Sequence, residues 1–259
     1  MAVKEESPIL FTREGKIARL VLNRPPLNIL DLSTIAELNR RLTDLTADDS
    51  LHLLLLEGAG DRAFSAGVAV EDHVPAKLES MLASFHTVVR KIRDLPAITL
   101  AVVRGHCLGG GCELATACDL VLAAEEASFG LPEVELGCFP PVAAAFYPRR
   151  LGHARSLELL LTGRRFDGRE ALTLGLVSRT VPAANLTEAR EDILRSLAGK
   201  SAAVARLIKK AVRRGQEHDF DCALEEAEKI YLDELAETED MKEGLTAFLE
   251  RRPPRWQDR

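Results

Sequence analysis

Long hydrophobic runs are missing from this chain of 259 residues. No apolar stretch reaches the roughly eighteen residues that a membrane-spanning helix needs. The first residues, MAVKEESP, are acidic and polar rather than signal-like. The sequence therefore predicts no membrane partner, and we expect a cytoplasmic protein.

Cysteine pairs with metal-binding or redox spacing are also missing. The five cysteines form no CxxC motif, and no histidine stands beside them at metal-ligand spacing. Buried free thiols in a reducing compartment explain this pattern best. We therefore expect no metal site.

An excess of positive charge is absent, since the formal net charge is −6. Binding to nucleic acid usually rests on clustered Lys and Arg, so this balance argues against a nucleic-acid partner. One basic cluster occurs at residues 209–214, within a helical pattern. The apolar positions of that pattern predict one buried stripe and place the basic residues on a solvated face; they include Val204, Leu207, Ile208, Ala211 and Val212.

Nucleotide-binding signatures are missing as well, because the run at residues 108–113, LGGGCE, is neither GxGxxG nor a P-loop. This run follows an apolar stretch at residues 98–103 and precedes a short helical segment. A glycine turn at a helix start presents free backbone N–H groups to developing negative charge. The sequence thus indicates an oxyanion-binding turn, with a carboxylate, Glu113, three residues beyond Gly110.

The order of patterns along the chain predicts an α/β protein. Two extended segments around a glycine turn form a hairpin, a helix follows, and strand, turn and helix then recur at roughly 45 residues. The predicted segments are strands at 9–12, 17–22, 52–57, 63–65, 98–103, 120–123 and 128–130, and helices at 31–45 and 77–93. From residue 185 onward the pattern is almost entirely helical, which favours oligomerisation through a C-terminal region.

A second carboxylate, Glu133, follows Pro132 at the end of an extended segment, twenty residues after Glu113. Proline fixes the backbone just before the acidic residue. Two carboxylates beside an oxyanion-binding turn suit acid–base chemistry on a carbonyl compound.

Several motifs together resemble the crotonase, or enoyl-CoA hydratase/isomerase, superfamily. They run in order along nearly the whole chain: FSAGVAVEDH, GHCLGGGCELATACDL, FGLPEVELG, LTGRRFDGREALTLGLVSRTVP and MKEGLTAFLERRPP. The resemblance implies a spiral of ββα repeats over residues 1–199 and a helical trimerisation region over residues 200–259. It also implies homotrimers that pair into hexamers, an acyl-CoA thioester substrate, and no metal or organic cofactor.

The resemblance carries over to individual residues. The backbone N–H groups of Val68 and Gly110 match the oxyanion-hole donors. Glu113 and Glu133 match the two glutamates of members that add water across a 2,3-double bond, and we assign water activation to Glu113 and protonation at carbon to Glu133. The CoA-binding positions are matched by Ala66, Phe248 and Arg251, the last two acting on a neighbouring subunit's CoA.

The chain departs from the family pattern after the second glutamate. Pro141 replaces a glycine whose N–H lies near the catalytic water in related hydratases, and proline has no such donor. Together with Val142 and Phe146 it predicts an altered acyl pocket. Ala69 also stands where the family usually has an aspartate.

The segment LGCFPPVAAAFYP looks closest to the branch that hydrates cyclic conjugated dienoyl-CoA compounds, such as cyclohexa-1,5-diene-1-carbonyl-CoA. An ordinary short-chain enoyl-CoA hydratase, an isomerase and another crotonase-type acyl-CoA enzyme stay open as alternatives. A non-catalytic scaffold that uses the basic cluster is a further alternative from another class.

Overall fold

The computed structural model describes residues 7–216 and 218–259 of the chain. The strands are β1 (Ile9–Glu14), β2 (Ile17–Leu22), β3 (Leu53–Gly58), β4 (Ala63–Ser65), β5 (Ile98–Val103), β6 (His106–Leu108), β7 (Leu120–Ala124), β8 (Ser128–Gly130), β9 (Arg165–Asp167) and β10 (Arg179–Val181). The α-helices are α1 (Leu32–Thr46), α2 (Pro75–Asp94), α3 (Gly110–Thr116), α4 (Pro141–Leu151), α5 (His153–Thr162), α6 (Gly168–Leu174), α7 (Leu186–Ala198), α8 (Ala202–Gly215), α9 (Phe220–Ile230) and α10 (Glu239–Leu249). Short 3-10 helices lie at Val70–Asp72, Pro132–Leu136 and Ala183–Asn185, and a π-helical turn follows α9 at Tyr231–Leu235.

Two sheets organise the strands. One sheet has six strands in the order β1-β2-β3-β5-β7-β10, and the other has four in the order β4-β6-β8-β9. The β1–β2 hairpin is antiparallel, whereas β2–β3, β5–β7 and β7–β10 are parallel. In the smaller sheet β4–β6 and β6–β8 are parallel, and β9 closes the edge in the antiparallel sense.

The chain winds as a spiral in which each turn adds one strand to each sheet and then a helix. The units are β3-β4-α2, β5-β6-α3 and β7-β8-α4, beginning at Leu53, Ile98 and Leu120. The predicted ββα spiral is therefore confirmed. The first interval agrees with the predicted repeat of roughly 45 residues, but the second is about half as long because α3 is only two turns.

Local sequence explains why these elements form where they do. The run LLLL of β3 is buried on both faces, which is typical of a strand inside a parallel sheet. Asp31 begins α1 by accepting the N–H of Thr34 at 2.8 Å. The buried stripe of α1 is apolar at helical spacing, with Ile35, Leu38, Leu42 and Leu45.

The described chain forms two compact units. The first consists of residues up to Leu95 together with Thr99–Glu191, and contains both sheets' site-forming loops. The second consists of Pro96–Ile98 and Asp192–Arg259, and is helical over α8, α9 and α10. This partition falls inside α7, whereas the predicted boundary after residue 199 follows the end of that helix.

One prediction for the second unit is wrong in detail. Lys209, assigned to a solvated face, is only 8% exposed and donates to the carbonyl of Ala97 at 2.8 Å. Ile208 and Val212, assigned to the buried stripe, are exposed. The apolar face of α8 is therefore turned outward in the single chain, and the Lys209 charge is held by a backbone acceptor instead of water. No described helix is long and apolar enough to cross a bilayer.

Candidate active site

Residues 67–69 hold one backbone N–H group away from any acceptor. Leu30 donates to the Gly67 carbonyl at 2.9 Å and accepts from the Ala69 N–H at 3.1 Å. Because successive N–H groups along an extended segment point to opposite sides, the Val68 N–H points away from Leu30. Among residues 7–216 and 218–259 no acceptor is paired with it.

Gly110 provides a second free N–H group, since it is the first residue of α3 and has no acceptor within the helix. A Cβ atom added to Gly67 would lie 3.4 Å from the Gly110 nitrogen, and one added to Gly110 would lie 3.5 Å from the Val68 nitrogen. The two predicted oxyanion-hole donors are thus brought together.

Glycine is required at this turn for two separate reasons. Gly109 has φ +51°, a backbone conformation that residues with a Cβ rarely adopt. A Cβ on Gly110 would meet the Val68 Cγ2 atom at 2.8 Å and the Phe85 Cζ atom at 3.3 Å. Phe85 of α2 therefore closes the turn from one side, and any larger residue would displace the Val68 segment.

Glu113 lies one turn into α3 and is 3% exposed. Its Oε1 atom accepts the N–H of Ala143 at 2.8 Å, and the N–H of Val142 also bonds to this carboxylate. Both amides belong to the first turn of α4, where backbone N–H groups have no intrahelical acceptor. The carboxylate is thus held by a helix start, which is the same kind of anion-binding group as the start of α3 at Gly110.

Glu133 approaches the glycine turn from the opposite direction. The sequence predicted Glu133 at the end of an extended segment, but the residue lies in the 3-10 helix Pro132–Leu136. A Cβ on Gly109 would meet its Oε1 atom at 2.9 Å, so the carboxylate packs against the bare glycine. Its Oε2 atom is buried and has no hydrogen-bond partner in the part of the chain that the structure describes.

Burial raises the pKa of both carboxyl groups to about 7. At Glu113 the negative charge of Glu133 raises the pKa further, while the Ala143 and Val142 N–H groups oppose the rise. At Glu133 burial is the largest cause. Two acids that titrate near neutrality can exchange protons with carbon and water at physiological pH.

The segment after Glu133 makes a contact that the sequence did not reveal. Pro141 is the first residue of α4, where a missing N–H costs nothing because no acceptor exists for it within the helix. Val142 and Ala143 supply N–H groups to Glu113 directly after it. Although Pro141 has no N–H group to donate, the two residues that follow it donate to Glu113.

The remaining acyl-pocket positions lie along α4. Val142 and Phe146 are half-buried. The Arg150 guanidinium lies over the Phe146 ring, 4.3 Å from its centroid. Tyr147, in contrast, is fully buried, and its hydroxyl contacts Cys112 and Thr116 on α3.

The predicted CoA-binding positions belong to different units, Ala66 to the first and both Phe248 and Arg251 to the second. Ala66 is half-buried, and its N–H donates to the Leu27 carbonyl at 2.9 Å, which fixes this backbone next to the Val68 segment. Phe248 lies near the end of α10 and is 82% exposed, so packing in the core of its own chain does not explain it. Arg251 follows with φ +57° and is exposed.

Asp72 is a buried acidic residue near the site that the sequence analysis missed. It is 5% exposed, accepts the Leu32 N–H at 3.1 Å and pairs with Lys77 at 2.8 Å. The Lys77 ammonium is the first cause that holds the pKa of this carboxyl below its usual range. Asp72 thereby joins the start of α1 to α2 three residues beyond Ala69, the position where the family pattern has its aspartate.

Within the described residues no group of three or more His, Cys, Asp or Glu side chains is arranged to hold a metal ion. The five cysteines are free thiols, three of them buried at positions 107, 112 and 118. The predicted free-cysteine pattern is therefore confirmed.

Comparison with known proteins agrees with this geometry. The family model described as Enoyl-CoA hydratase/isomerase matches residues 12–259. The cyclohexa-1,5-dienecarbonyl-CoA hydratase of Thauera aromatica is 38% identical over 97% of this chain and 96% of its own length. The short-chain-enoyl-CoA hydratase of Clostridium acetobutylicum is 31% identical over 96% of this chain and 97% of its own length.

Solved structures lead to the same result. The enoyl-CoA hydratase from Bacillus anthracis superimposes with a TM-score of 0.91 at 32% identity, covering 97% of this chain and 100% of that one. An enoyl-CoA hydratase from Geobacillus kaustophilus superimposes with a TM-score of 0.92 at 30% identity, covering 99% and 98%. The chain has the crotonase fold and is an enzyme of the enoyl-CoA hydratase/isomerase family.

Proposed function

We propose that this enzyme adds water to a cyclic conjugated dienoyl-CoA thioester of the cyclohexa-1,5-diene-1-carbonyl-CoA type. The observation that carries hydration is the pair of glutamates beside two free amides, with Glu113 buried and Glu133 half-buried. The ring-shaped acyl group is supported by the altered segment at residues 140–146 and by the similarity to a hydratase named for that substrate.

The first chemical task is to polarise the thioester carbonyl. The Val68 and Gly110 N–H groups donate to the carbonyl oxygen and stabilise the enolate that forms when the β-carbon is attacked. Donors of this kind are typically worth about 3 kcal/mol each, because they are fixed before the charge develops. This role also explains why the family needs no metal to act as a Lewis acid, and we propose that this chain needs no metal or organic cofactor.

The second task is to move two protons. Glu113 takes a proton from the water molecule whose oxygen bonds to the β-carbon, and Glu133 delivers a proton to carbon. With both pKa values near 7, the interacting pair holds about one proton at neutral pH. That is the charge state in which one carboxylate serves as base and one carboxylic acid as proton donor.

A cyclic diene changes where the second proton goes. Addition of hydroxide to the β-carbon of a conjugated dienoyl thioester gives an enolate that extends onto the second double bond. Protonation of this extended enolate at its far carbon completes the addition across the conjugated system, with one double bond retained. Val142 and Phe146 would line the ring, since Val142 lies at the start of α4 beside the Ala143 amide that binds Glu113, and Phe146 follows one helical turn later.

Two other substrates or reactions stay as alternatives. A short-chain enoyl thioester is favoured by the similarity to hydratases acting on such compounds. Isomerisation of a double bond would use the same oxyanion hole but only one carboxylate, so the presence of both glutamates favours hydration.

The test is turnover of cyclohexa-1,5-diene-1-carbonyl-CoA beside crotonyl-CoA, followed by ultraviolet absorbance and mass spectrometry. We expect a mass gain of one water and faster turnover of the diene. Preference for crotonyl-CoA would replace the cyclic substrate by a short-chain one. Movement of absorbance without a mass gain would replace hydration by isomerisation.

We also propose that the enzyme assembles as a homotrimer or a pair of trimers in the cytoplasm. Several apolar side chains of the second unit are exposed in the single chain, among them Ile208, Val212, Leu232, Phe248 and Leu249. Large apolar side chains exposed in this number are typical of a subunit contact. Phe248 and Arg251 would then bind the CoA of a neighbouring subunit, and a reducing compartment would keep the five thiols free.

A further inference from the structure

Three residues of α4, spaced four and three apart, share one face of that helix: Ala143, Tyr147 and Arg150. Each of them makes a hydrogen bond to α3, the helix that carries Glu113 and begins at the oxyanion donor Gly110. The two helices are thus joined at three residues of α3: Glu113, Cys112 and Thr116. Only the first of these bonds touches the carboxylate itself.

Tyr147 makes the middle connection from a fully buried position. Its hydroxyl lies 3.3 Å from the Cys112 Sγ atom and 3.5 Å from the Thr116 Oγ1 atom. The Thr116 hydroxyl donates to the Cys112 carbonyl at 2.8 Å, so its oxygen is free to accept from Tyr147. The Tyr147 hydroxyl can then accept from the Cys112 thiol, and the three groups form one directed chain of donors and acceptors.

Arg150 makes the third connection at the C-terminal end of α3. It donates to the Thr116 carbonyl at 2.9 Å, where a helix leaves its carbonyl groups unpaired. Its guanidinium also covers the Phe146 ring. This residue therefore fixes both the distance between the helices and the orientation of an acyl-pocket side chain.

We propose that Tyr147 is a positioning residue for the hydration reaction, whose hydroxyl keeps α4 at the height on α3 where the Ala143 N–H meets the Glu113 carboxylate. The inference rests on the proposed role of Glu113 as the base. Cys112 immediately precedes Glu113, and Thr116 follows three residues later, so the Tyr147 contacts bracket the carboxylate on the buried side of α3.

The consequence is a defined proton affinity at Glu113. The N–H groups of Ala143 and Val142 favour its charged form, so a shift of α4 that weakens them raises its pKa. Glu133 is the charged group that faces Glu113, and Arg150 lies at the far end of α3. Burial raises the pKa values of Cys107 and Tyr147, so both stay neutral throughout the working range.

The test compares Tyr147→Phe with Tyr231→Phe, which together remove the two tyrosine hydroxyls of the chain one at a time. Tyr231 is half exposed and lies in the second unit, which makes it a matched control. For Tyr147→Phe we expect kcat to fall about tenfold at pH 7, because the hydrogen bond that positions α4 against the base is lost. We expect the acidic limb of the kcat–pH profile to move upward by about half a unit, with KM nearly unchanged.

A second readout needs no turnover. The carboxyl band of Glu113 is followed by infrared difference titration and assigned by its loss in Glu113→Gln. An upward shift of this titration in Tyr147→Phe, absent from Tyr231→Phe, supports the proposal. An unchanged titration in a variant that unfolds cooperatively overturns it, because the hydroxyl would then serve packing alone.

Two further arms keep the outcome decisive. If Tyr147→Phe does not fold, Thr116→Val removes the acceptor from the other helix at nearly constant shape and is judged by the same titration. If the unaltered enzyme hydrates neither thioester, the proposed function fails, while the infrared titration still decides the role of Tyr147.

Discussion

Glu113 and Glu133 are held by different means, although burial raises the pKa of both. Glu113 is bonded to two backbone N–H groups, whereas one oxygen of Glu133 is buried and has no hydrogen-bond partner among the described residues. A carboxylate with bonded N–H groups is stabilised in its charged form and suits the base. A carboxyl group that lacks donors is more stable with its proton and suits the acid that protonates carbon.

Replacing either glutamate by glutamine should abolish most turnover without unfolding the protein. For Glu113→Gln and Glu133→Gln we expect kcat to fall by roughly a hundredfold to ten-thousandfold, since proton transfer is lost at nearly constant volume. Glu135→Gln is the matched control, because Glu135 lies on the same 3-10 helix as Glu133 and is exposed. Steady-state kinetics decide the matter, and near-normal turnover in either site variant contradicts the two-glutamate mechanism.

The buried Glu113 should also cost stability as pH rises. Its pKa is about 7 in the folded chain against an ordinary value of 4.5 for glutamate, so the folded state binds more protons between these values. Stability from this group is complete below pH 4.5 and declines as pH rises through 7, by at most about 3 kcal/mol. Thermal melts of Glu113→Gln should therefore match the unaltered protein near pH 4.5 and exceed it at pH 8. Equal melting temperatures at pH 8 would show that the carboxyl group ionises there at no cost.

Elements with strong hydrophobic periodicity were predicted correctly from the sequence. The hairpin, β3, α1 and α2 lie within a few residues of their predicted positions. The helix α4 was not predicted, because Pro140, Pro141 and Pro148 in a short span resemble a loop. Two of these prolines stand before or at the first helical residue, and Pro148 lies in the last turn, so only one interior hydrogen bond is lost.

The candidate site was predictable only in part for a related reason. Gly110 and Glu113 follow from a glycine turn that is local in sequence, whereas Val68 was assigned only through the family resemblance. The bond from Ala143 to Glu113 joins residues thirty positions apart, and no periodicity signals it. The sequence indicates this bond only through Pro141, because a proline marks a helix start whose free N–H groups need an acceptor.

The glycine turn itself makes a prediction about Glu133. Gly109→Ala places a Cβ atom 2.9 Å from the Glu133 Oε1 atom, so the carboxyl group must move. We expect kcat to fall at least tenfold. The free energy of unfolding should also fall by roughly 1 kcal/mol, because alanine is strained at a positive φ. Gly15→Ala is the matched control, because its φ of +55° is nearly the same and its Cβ would meet nothing within 4 Å. We expect both variants to lose the same stability and only Gly109→Ala to lose activity. Full activity in both variants contradicts the contact between Gly109 and Glu133.

At the scale of the whole molecule, the second unit exposes apolar side chains that packing within a single chain does not explain. Hydrophobic spacing in α8 predicted a buried stripe, yet Ile208 and Val212 are exposed while Lys209 is buried. In the proposed assembly a neighbouring subunit would cover this stripe, and sequence alone does not reveal whether the covering surface belongs to the same chain. The motifs from residue 64 onward nevertheless identify the family, and the family model matches residues 12–259.

Breaking that apolar face should therefore dissociate the enzyme and weaken CoA binding together. Leu249 is 81% exposed at the end of α10, next to Phe248, and Leu249→Glu places a charge in the proposed contact. We expect sedimentation velocity to show a monomer in place of a trimer or hexamer, with KM for the thioester at least tenfold higher because Phe248 no longer meets a neighbour's CoA. Thr246→Glu adds the same charge to an exposed polar position of α10 and should leave the assembly intact. A monomeric unaltered protein with full activity would remove the subunit-spanning site, because Phe248 and Arg251 could then act only on the CoA of their own chain.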